Sequence, residues 1–265
     1  MRKYVDNQLV NDENSIMRLS VISVIGGRQS QQDSFDYCLK SNEGIVVICD
    51  GMGGHEGGQL AGALAAERFI DDYKKSYPSD DITGMLIQSA KTSDEIISNL
   101  KNDAGIRMNA GSTCVAVVIR NNKLYWCSSG DSRGYLLRGE EFVQLTQDQN
   151  YGTVLHEQLR SGIIDEERFN TEIVHSEALI SYLGIGNLSL IDYNLNPLPL
   201  ESDDKIILMS DGLFKLVTDE EIKRVLKNFK NNAEALQALN AKAERSSRVK
   251  KSVRDNMTAA IISVK

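Results

Sequence analysis

The chain has 265 residues, 41% of them hydrophobic and 25% charged, with a formal net charge of −7. That is the composition of a globular chain long enough to bury a core without disulfide staples. No apolar run approaches the ~20 residues of a membrane helix, and an acidic balance argues against nucleic acid, whose binders need clustered cations to displace phosphate counterions.

The N-terminal stretch MRKYVDNQLVNDENS lacks the apolar core of a secretory signal, so a cytoplasmic location is expected. Residues 17–25 (MRLSVISVI) and 45–49 (IVVIC) are apolar and β-branched and read as strands. From Gly58 the pattern turns helical, with Leu60, Ala61, Leu64, Ala65, Phe69 and Ile70 on one face. A second helix is predicted over about residues 82–100, with Met85, Leu86, Ile96, Ile97 and Leu100 inward. Two hairpins follow, one turning at Asn121 and Asn122 and one at Gly139. Residues 147–178 lose strong periodicity and form a polar, largely helical insert. LSLIDYNL and KIILMS resume strand character, Thr218 and Glu221 form a capping box ahead of a helix, and MTAAIISV closes as a strand. Hairpin-joined strands imply antiparallel sheets, and helices arriving in pairs imply outer layers, so one α+β domain with sandwiched sheets is expected.

Cys38, Cys49, Cys114 and Cys127 form no CxxC pair and lie in apolar or β-like runs, which predicts buried thiols rather than disulfides or a zinc site. Residues 245–254 (RSSRVKKSVR) are the exception to the acidic balance. They read as a solvated loop before the last strand, the alternative being a surface for an acidic or phosphorylated partner.

The informative feature is what ends the strands. Asp50 follows IVVIC, Asp131 follows LYWCSSG, Asp211 follows IILMS, and Asp255 precedes Asn256 and the last strand. Taken singly, an Asp-Gly after a strand is most often a turn. Together these carboxylates can meet at one end of a sheet sandwich, where they repel unless a cation compensates. Oxygen donors without a histidine cluster suit magnesium or manganese. The loop GMGGHEGGQL carries neither the lysine and hydroxyl of a P-loop nor the third glycine of a dinucleotide fingerprint.

These residues resemble the metal-dependent serine/threonine protein phosphatases, the type 2C or PPM family, in its bacterial form. The similarity runs in order through GGRQSQQDSF, VVICDGMGGHEGG, AGSTCVAVVI, LYWCSSGDSRGYLLRGEEFVQLTQDQ, SGIIDEERF, Leu183–Gly184, IILMSDGLF and VRDNMTAAII. It implies a four-layer αββα sandwich, two antiparallel sheets flanked by paired helices, working as one domain over residues 1–265. The stretch 148–176 would be a flap bordering the active site. By the same resemblance, two Mg2+ or Mn2+ ions share Asp50, the Gly51 carbonyl joins one of them, and Asp211 and Asp255 join the other. Asp33, Gln32 and Asn256 would back the metal-bound waters, and Asp131 with Asp211 would serve a weaker third metal. Arg28 would grip the substrate phosphate while a hydroxide bridging the metals attacks phosphorus.

Three departures stand out. Gln31 and Gln32 occupy positions where the family often has Asn-Glu or Asn-Gln, so Gln32 adds no charge to the metals. Met52 stands where eukaryotic members carry a histidine proposed as general acid, and His55 reads as a loop residue. Gln149 follows Asp148 where a histidine is frequent. The implied partners are phosphoproteins, including targets of a Ser/Thr kinase, with no nucleic acid or membrane, and the chain is expected to be a monomer.

Overall fold

In the computed structural model, which describes residues 7–76 and 80–265, strands β1 (Asn7–Glu13), β2 (Met17–Val24), β3 (Asp33–Lys40) and β4 (Glu43–Met52) lead into helices α1 (His55–Ser76) and α2 (Ile82–Ser98). The short β5 (Gly111–Ser112) precedes β6 (Cys114–Arg120), β7 (Lys123–Ser129), β8 (Arg133–Arg138) and β9 (Glu141–Gln144). Helices α3 (Tyr151–Arg160) and α4 (Glu166–Glu172) come next, followed by β10 (Asp192–Tyr193), β11 (Leu198–Pro199) and β12 (Lys205–Met209). The chain ends with α5 (Asp211–Phe214), α6 (Asp219–Asn228), α7 (Asn232–Lys250) and β13 (Met257–Val264).

The strands form two antiparallel sheets. One runs β1-β2-β13-β12-β8-β9, and the other β10-β7-β6-β4-β3, with β11 added to β7 and β5 to β4. Between them lies a core of Val21, Val46, Ile48, Val115, Val117, Leu208, Ala260 and Ile262. On the outer face of the second sheet, Phe69, Tyr73, Leu86 and Ile97 of α1 and α2 cover Cys49, Ala116 and Val118. On the outer face of the first, Ile222, Leu226, Leu236 and Leu239 of α6 and α7 cover Ile207, Ala259 and Ile261. The order of layers is therefore α, β, β, α, as expected. The central strands are buried on both faces, which is why they read as unbroken apolar runs instead of alternating ones.

Local signals hold where they are strong. Asn121 and Asn122 both adopt positive φ at the β6–β7 turn, the conformation a two-residue hairpin needs. Thr218 and Glu221 make both capping-box bonds at α6. Cys49, Cys114 and Cys127 are buried free thiols, and Cys38 is partly buried.

Three expectations need correcting, and two strands were not foreseen. Leu60 and Ile96 are exposed, because α1 and α2 turn Ala61, Ala65, Ser93 and Ile97 to the sheet and to each other instead. LSLIDYNL yields only the two-residue β10, tied to the edge of β7. Residues 245–250 continue α7, which ends at Lys251 in the left-handed conformation, so only the remainder of the basic stretch is loop. Strands β1 and β3 went unpredicted because both are polar and only partly buried. Among the described residues, no helix is long and apolar enough to cross a membrane.

Candidate active site

The five aspartates picked out from the sequence come together at one end of the sandwich. Asp33 opens β3 and pairs across the ladder with Asp50 near the end of β4. Asp211 follows β12 and Asp255 precedes its antiparallel neighbour β13, so both lie at the same end of the other sheet. Asp131 sits in the turn from β7 to β8, where the chain crosses from one sheet to the other.

Glycines allow this convergence. A Cβ on Gly51 would lie 2.0 Å from the Gly58 carbonyl oxygen, and one on Gly212 would lie 1.9 Å from that of Asn256. At Gly26 the backbone has positive φ, and a Cβ would lie 2.3 Å from the Asp255 carbonyl oxygen. The start of α1 thus presses onto β4, and the loop carrying Arg28 presses onto residues 254–255.

A polar frame fixes the carboxylates. Asp33 Oδ2 accepts from Ser210 Oγ at 2.7 Å, and its backbone N–H donates to Gln31 Oε1 at 3.1 Å. Thr113 brackets the Asp50 backbone, its hydroxyl accepting from Asp50 N at 3.0 Å and its N–H donating to Asp50 O at 2.9 Å. Ser132, next to Asp131, shares a 2.7 Å hydrogen bond with that hydroxyl. Gln149 accepts from Gly130 N at 3.0 Å and its own N–H donates to Gly130 O at 2.9 Å, so it holds the turn ahead of Asp131.

Asn256 makes its side-chain hydrogen bonds to the segment that leads into β3. Its amide donates to the carbonyls of Ile25 and Ser30, and its oxygen accepts from Gln32 N at 2.8 Å, which clamps the loop bearing Arg28. The Gln32 side chain donates to the Gly54 carbonyl at 3.2 Å. Ser210, Thr113, Ser132 and Lys215 were not singled out from the sequence, although the first three directly flank Asp211, Cys114 and Asp131. The His55 side chain lies outside the described part of the structure.

The electrostatics are those of crowded like charges. Burial pushes the Asp33 carboxyl up to about 7, with Asp211 and Asp255 adding to the rise and Ser210 opposing it. Burial also pushes Asp50 well up, followed by the fields of Asp33, Asp211, Asp131 and Asp255. Asp131 rises to about 6 through burial and Asp211, with Lys215 opposing. Two organic cations stand at the rim. Arg28 Nη2 lies 2.5 Å from Asp255 Oδ2, and Lys215 Nζ lies 2.9 Å from Asp211 Oδ2.

Among the described residues, no three His, Cys, Asp or Glu side chains are arranged to hold a metal ion as they stand, and Asp255 and Asp211 face those cations. The donor set nevertheless suits hard divalent cations. It is all oxygen, its members raise one another's affinity for positive charge, and Asp33 Oδ1 is buried with no hydrogen-bond partner.

The insert 148–176 is closed at its base by backbone bonds from Tyr151 N to Ala178 O, Gly152 N to Ser176 O and Ile180 N to Gln149 O. Arg133 holds its first residue, Asp148, through two guanidinium nitrogens, while stacking 3.9 Å over the Phe214 ring. Helix α4 has no buried residue, and Ile163 and Val174 are exposed, so the insert presents free apolar side chains to solvent.

Residues 17–153 match the protein phosphatase 2C family. The chain is 29% identical over 209 residues to the serine/threonine phosphatase stp of Listeria monocytogenes, covering 77% of this chain and 80% of that one. Its fold matches the serine/threonine phosphatase of S. agalactiae with a TM-score of 0.75 at 25% identity, over 94% of this chain and 100% of the other. It also matches the catalytic domain of the serine/threonine protein phosphatase PstP, solved with two manganese ions, with a TM-score of 0.73 at 25% identity, over 94% and 98% of the two chains.

Proposed function

The chain belongs to the protein phosphatase 2C family, and from that premise we propose that it hydrolyses phosphoserine and phosphothreonine on proteins with Arg28, Asp33 and Asp50 at the reacting centre. It is a metal-dependent protein serine/threonine phosphatase that uses two magnesium or manganese ions. The observation that carries the assignment of residues is the meeting of Asp33, Asp50, Asp211 and Asp255 at the ends of paired strands from both sheets.

Asp50, the Gly51 carbonyl, Asp211 and Asp255 would hold the two ions. When bound, these supply a lowered water pKa and neutralise charge at the phosphoryl group. Asp33 keeps one oxygen on Ser210 and presents the unpartnered one as an acceptor, which orients a water proton. Arg28 is half exposed at the mouth of the site, where its planar fork can exchange Asp255 for two phosphoryl oxygens. Met52 offers no proton, so the leaving serine or threonine oxygen takes its proton from water.

The substrates are phosphoproteins, and the targets of a Ser/Thr kinase are the class proposed here. Residues 1–265 act as one catalytic domain, monomeric and cytoplasmic, with no nucleic-acid or membrane partner. The insert 148–176 biases the choice of substrate more than the chemistry.

The test is Asp50→Asn and Asp211→Asn, assayed on a phosphothreonine peptide and on p-nitrophenyl phosphate with manganese. Both variants lose hydrolysis while keeping their circular dichroism and unfolding cooperativity. Full manganese-dependent turnover in both would overturn the assignment.

A further inference from the structure

Lys215 caps the single turn of α5 that Asp211 begins, four residues on, so helix spacing alone brings its side chain over the aspartate. Its Nζ lies 2.9 Å from Asp211 Oδ2 and 3.1 Å from Glu177 Oε2, at the base of the flap. The backbone of Lys215 is held on both sides. Its N–H donates to Asp211 O at 3.1 Å, and its carbonyl accepts from Lys250 Nζ at 3.0 Å. Phe214 before it is pinned under the Arg133 guanidinium. The held backbone and the helix spacing bring the ammonium to Asp211 and Glu177, while its side chain stays 38% exposed. Its field also reaches Asp131, where it opposes the upward push of burial and Asp211.

We propose that Lys215 is a built-in cation that takes the place of a third divalent ion between Asp131 and Asp211 and ties that place to the flap through Glu177. The inference rests on the phosphatase reading, in which Asp131 and Asp211 are the pair available to such an ion. A third divalent cation needs several oxygen ligands and must shed water to gain them. Here Asp211 Oδ2 already faces an ammonium, which leaves Asp211 one oxygen for the ion it would share with Asp255 and none for a third, whose like charge the ammonium repels. A tethered ammonium does not dissociate, so the Asp211 end of the flap contact is independent of metal concentration. Lys215 is a positioning residue on this account, since it reaches substrate only through Asp211 and the flap.

The test counts manganese per chain by equilibrium dialysis and elemental analysis at millimolar free Mn2+. The wild-type protein and Lys215→Arg should bind about two ions, and Lys215→Gln about three, because only the last removes the cation. Glu177→Gln should leave the count at about two while speeding amide hydrogen exchange across the flap, as loss of a tether requires. Circular dichroism checks folding, and Lys215→Met replaces Lys215→Gln if the latter fails to fold. A third ion in the wild type, an unchanged count in the neutral variant, or unaltered flap exchange in Glu177→Gln overturns the inference. Absence of any bound manganese in the wild type would instead overturn the phosphatase reading on which it rests.

Discussion

Ser210 Oγ donates a 2.7 Å hydrogen bond to Asp33 Oδ2, joining the end of β12 in one sheet to the start of β3 in the other. The same hydroxyl accepts from Thr258 N at 3.0 Å, which directs its proton toward the carboxylate. One side of Asp33 is thereby occupied, and Oδ1 is left buried without a hydrogen-bond partner.

Ser210→Ala removes the donor from a buried acceptor, which costs about 1–3 kcal/mol of stability. Urea unfolding in the presence of chelator should register that loss, and manganese should bind more weakly because Asp33 is then free to turn. A variant with wild-type stability and wild-type manganese affinity would remove Ser210 from the frame.

Arg28→Ala tests the phosphate grip. Its pair with Asp255 is largely solvent-exposed, 54% and 39% by side chain, so its loss changes stability by about 1 kcal/mol or less. A bidentate contact to phosphate is worth more, and kcat/KM should fall roughly 10- to 1,000-fold. Lysine should rescue little, since it is a point charge without the planar fork. Unchanged kcat/KM in Arg28→Ala would place the phosphate elsewhere.

The pH dependence has a definite sign when metal is chelated. The Asp33 carboxyl rises from 3.8 to about 7 on folding, and Asp131 rises to about 6. The folded protein holds these protons more tightly than the unfolded chain, so their contribution is intact below 3.8 and is lost as pH climbs through about 7. Thermal unfolding in EDTA should therefore show a falling Tm across that window, and Asp33→Asn should flatten the fall. Saturating manganese should reverse the trend, because it binds the ionised carboxylates. A Tm in EDTA that rises over the same range would contradict the crowding of charge.

Gly212→Ala places a methyl 1.9 Å from the Asn256 carbonyl oxygen, a contact that only backbone movement can relieve. Asp211 and Asn256 must then part, which destabilises the fold by ~1–3 kcal/mol and lowers manganese affinity. Wild-type affinity, read by calorimetry, would show that α5 can shift without disturbing Asp211.

Replacing residues 148–176 with another family member's flap should alter preference across a phosphopeptide panel while leaving p-nitrophenyl phosphate turnover within about threefold, because the insert is exposed, closed off at its base, and holds none of the five clustered aspartates. An unchanged preference would confine the insert to a structural task.

The sequence by itself determined the strands that run straight into aspartates, the asparagine turn at Asn121 and Asn122, the capping box at Thr218 and Glu221, and the helix pairs. Each of these is written within a few neighbouring residues, in hydrophobic period or turn chemistry. The candidate carboxylates were legible for the same reason, since an aspartate at the end of a buried strand announces its place. Leu60 and Ile96 show the limit of that signal. Helical period narrows the inward face, but which residues on its border are covered depends on where the sheet and the partner helix lie.

Only the tertiary structure decided which groups meet. Arg28 reaches Asp255 across 227 positions of chain, Ser210 reaches Asp33 across 177, and Lys215 reaches back 38 to Glu177. Asn256 likewise finds its partners far away in sequence, clamping the Arg28 loop through Ile25, Ser30 and Gln32. Such partners are chosen by which strand ends share an edge of the sandwich and which turns cross between sheets. No local pattern encodes that choice, because the energy that sets it comes from burying three apolar layers at once.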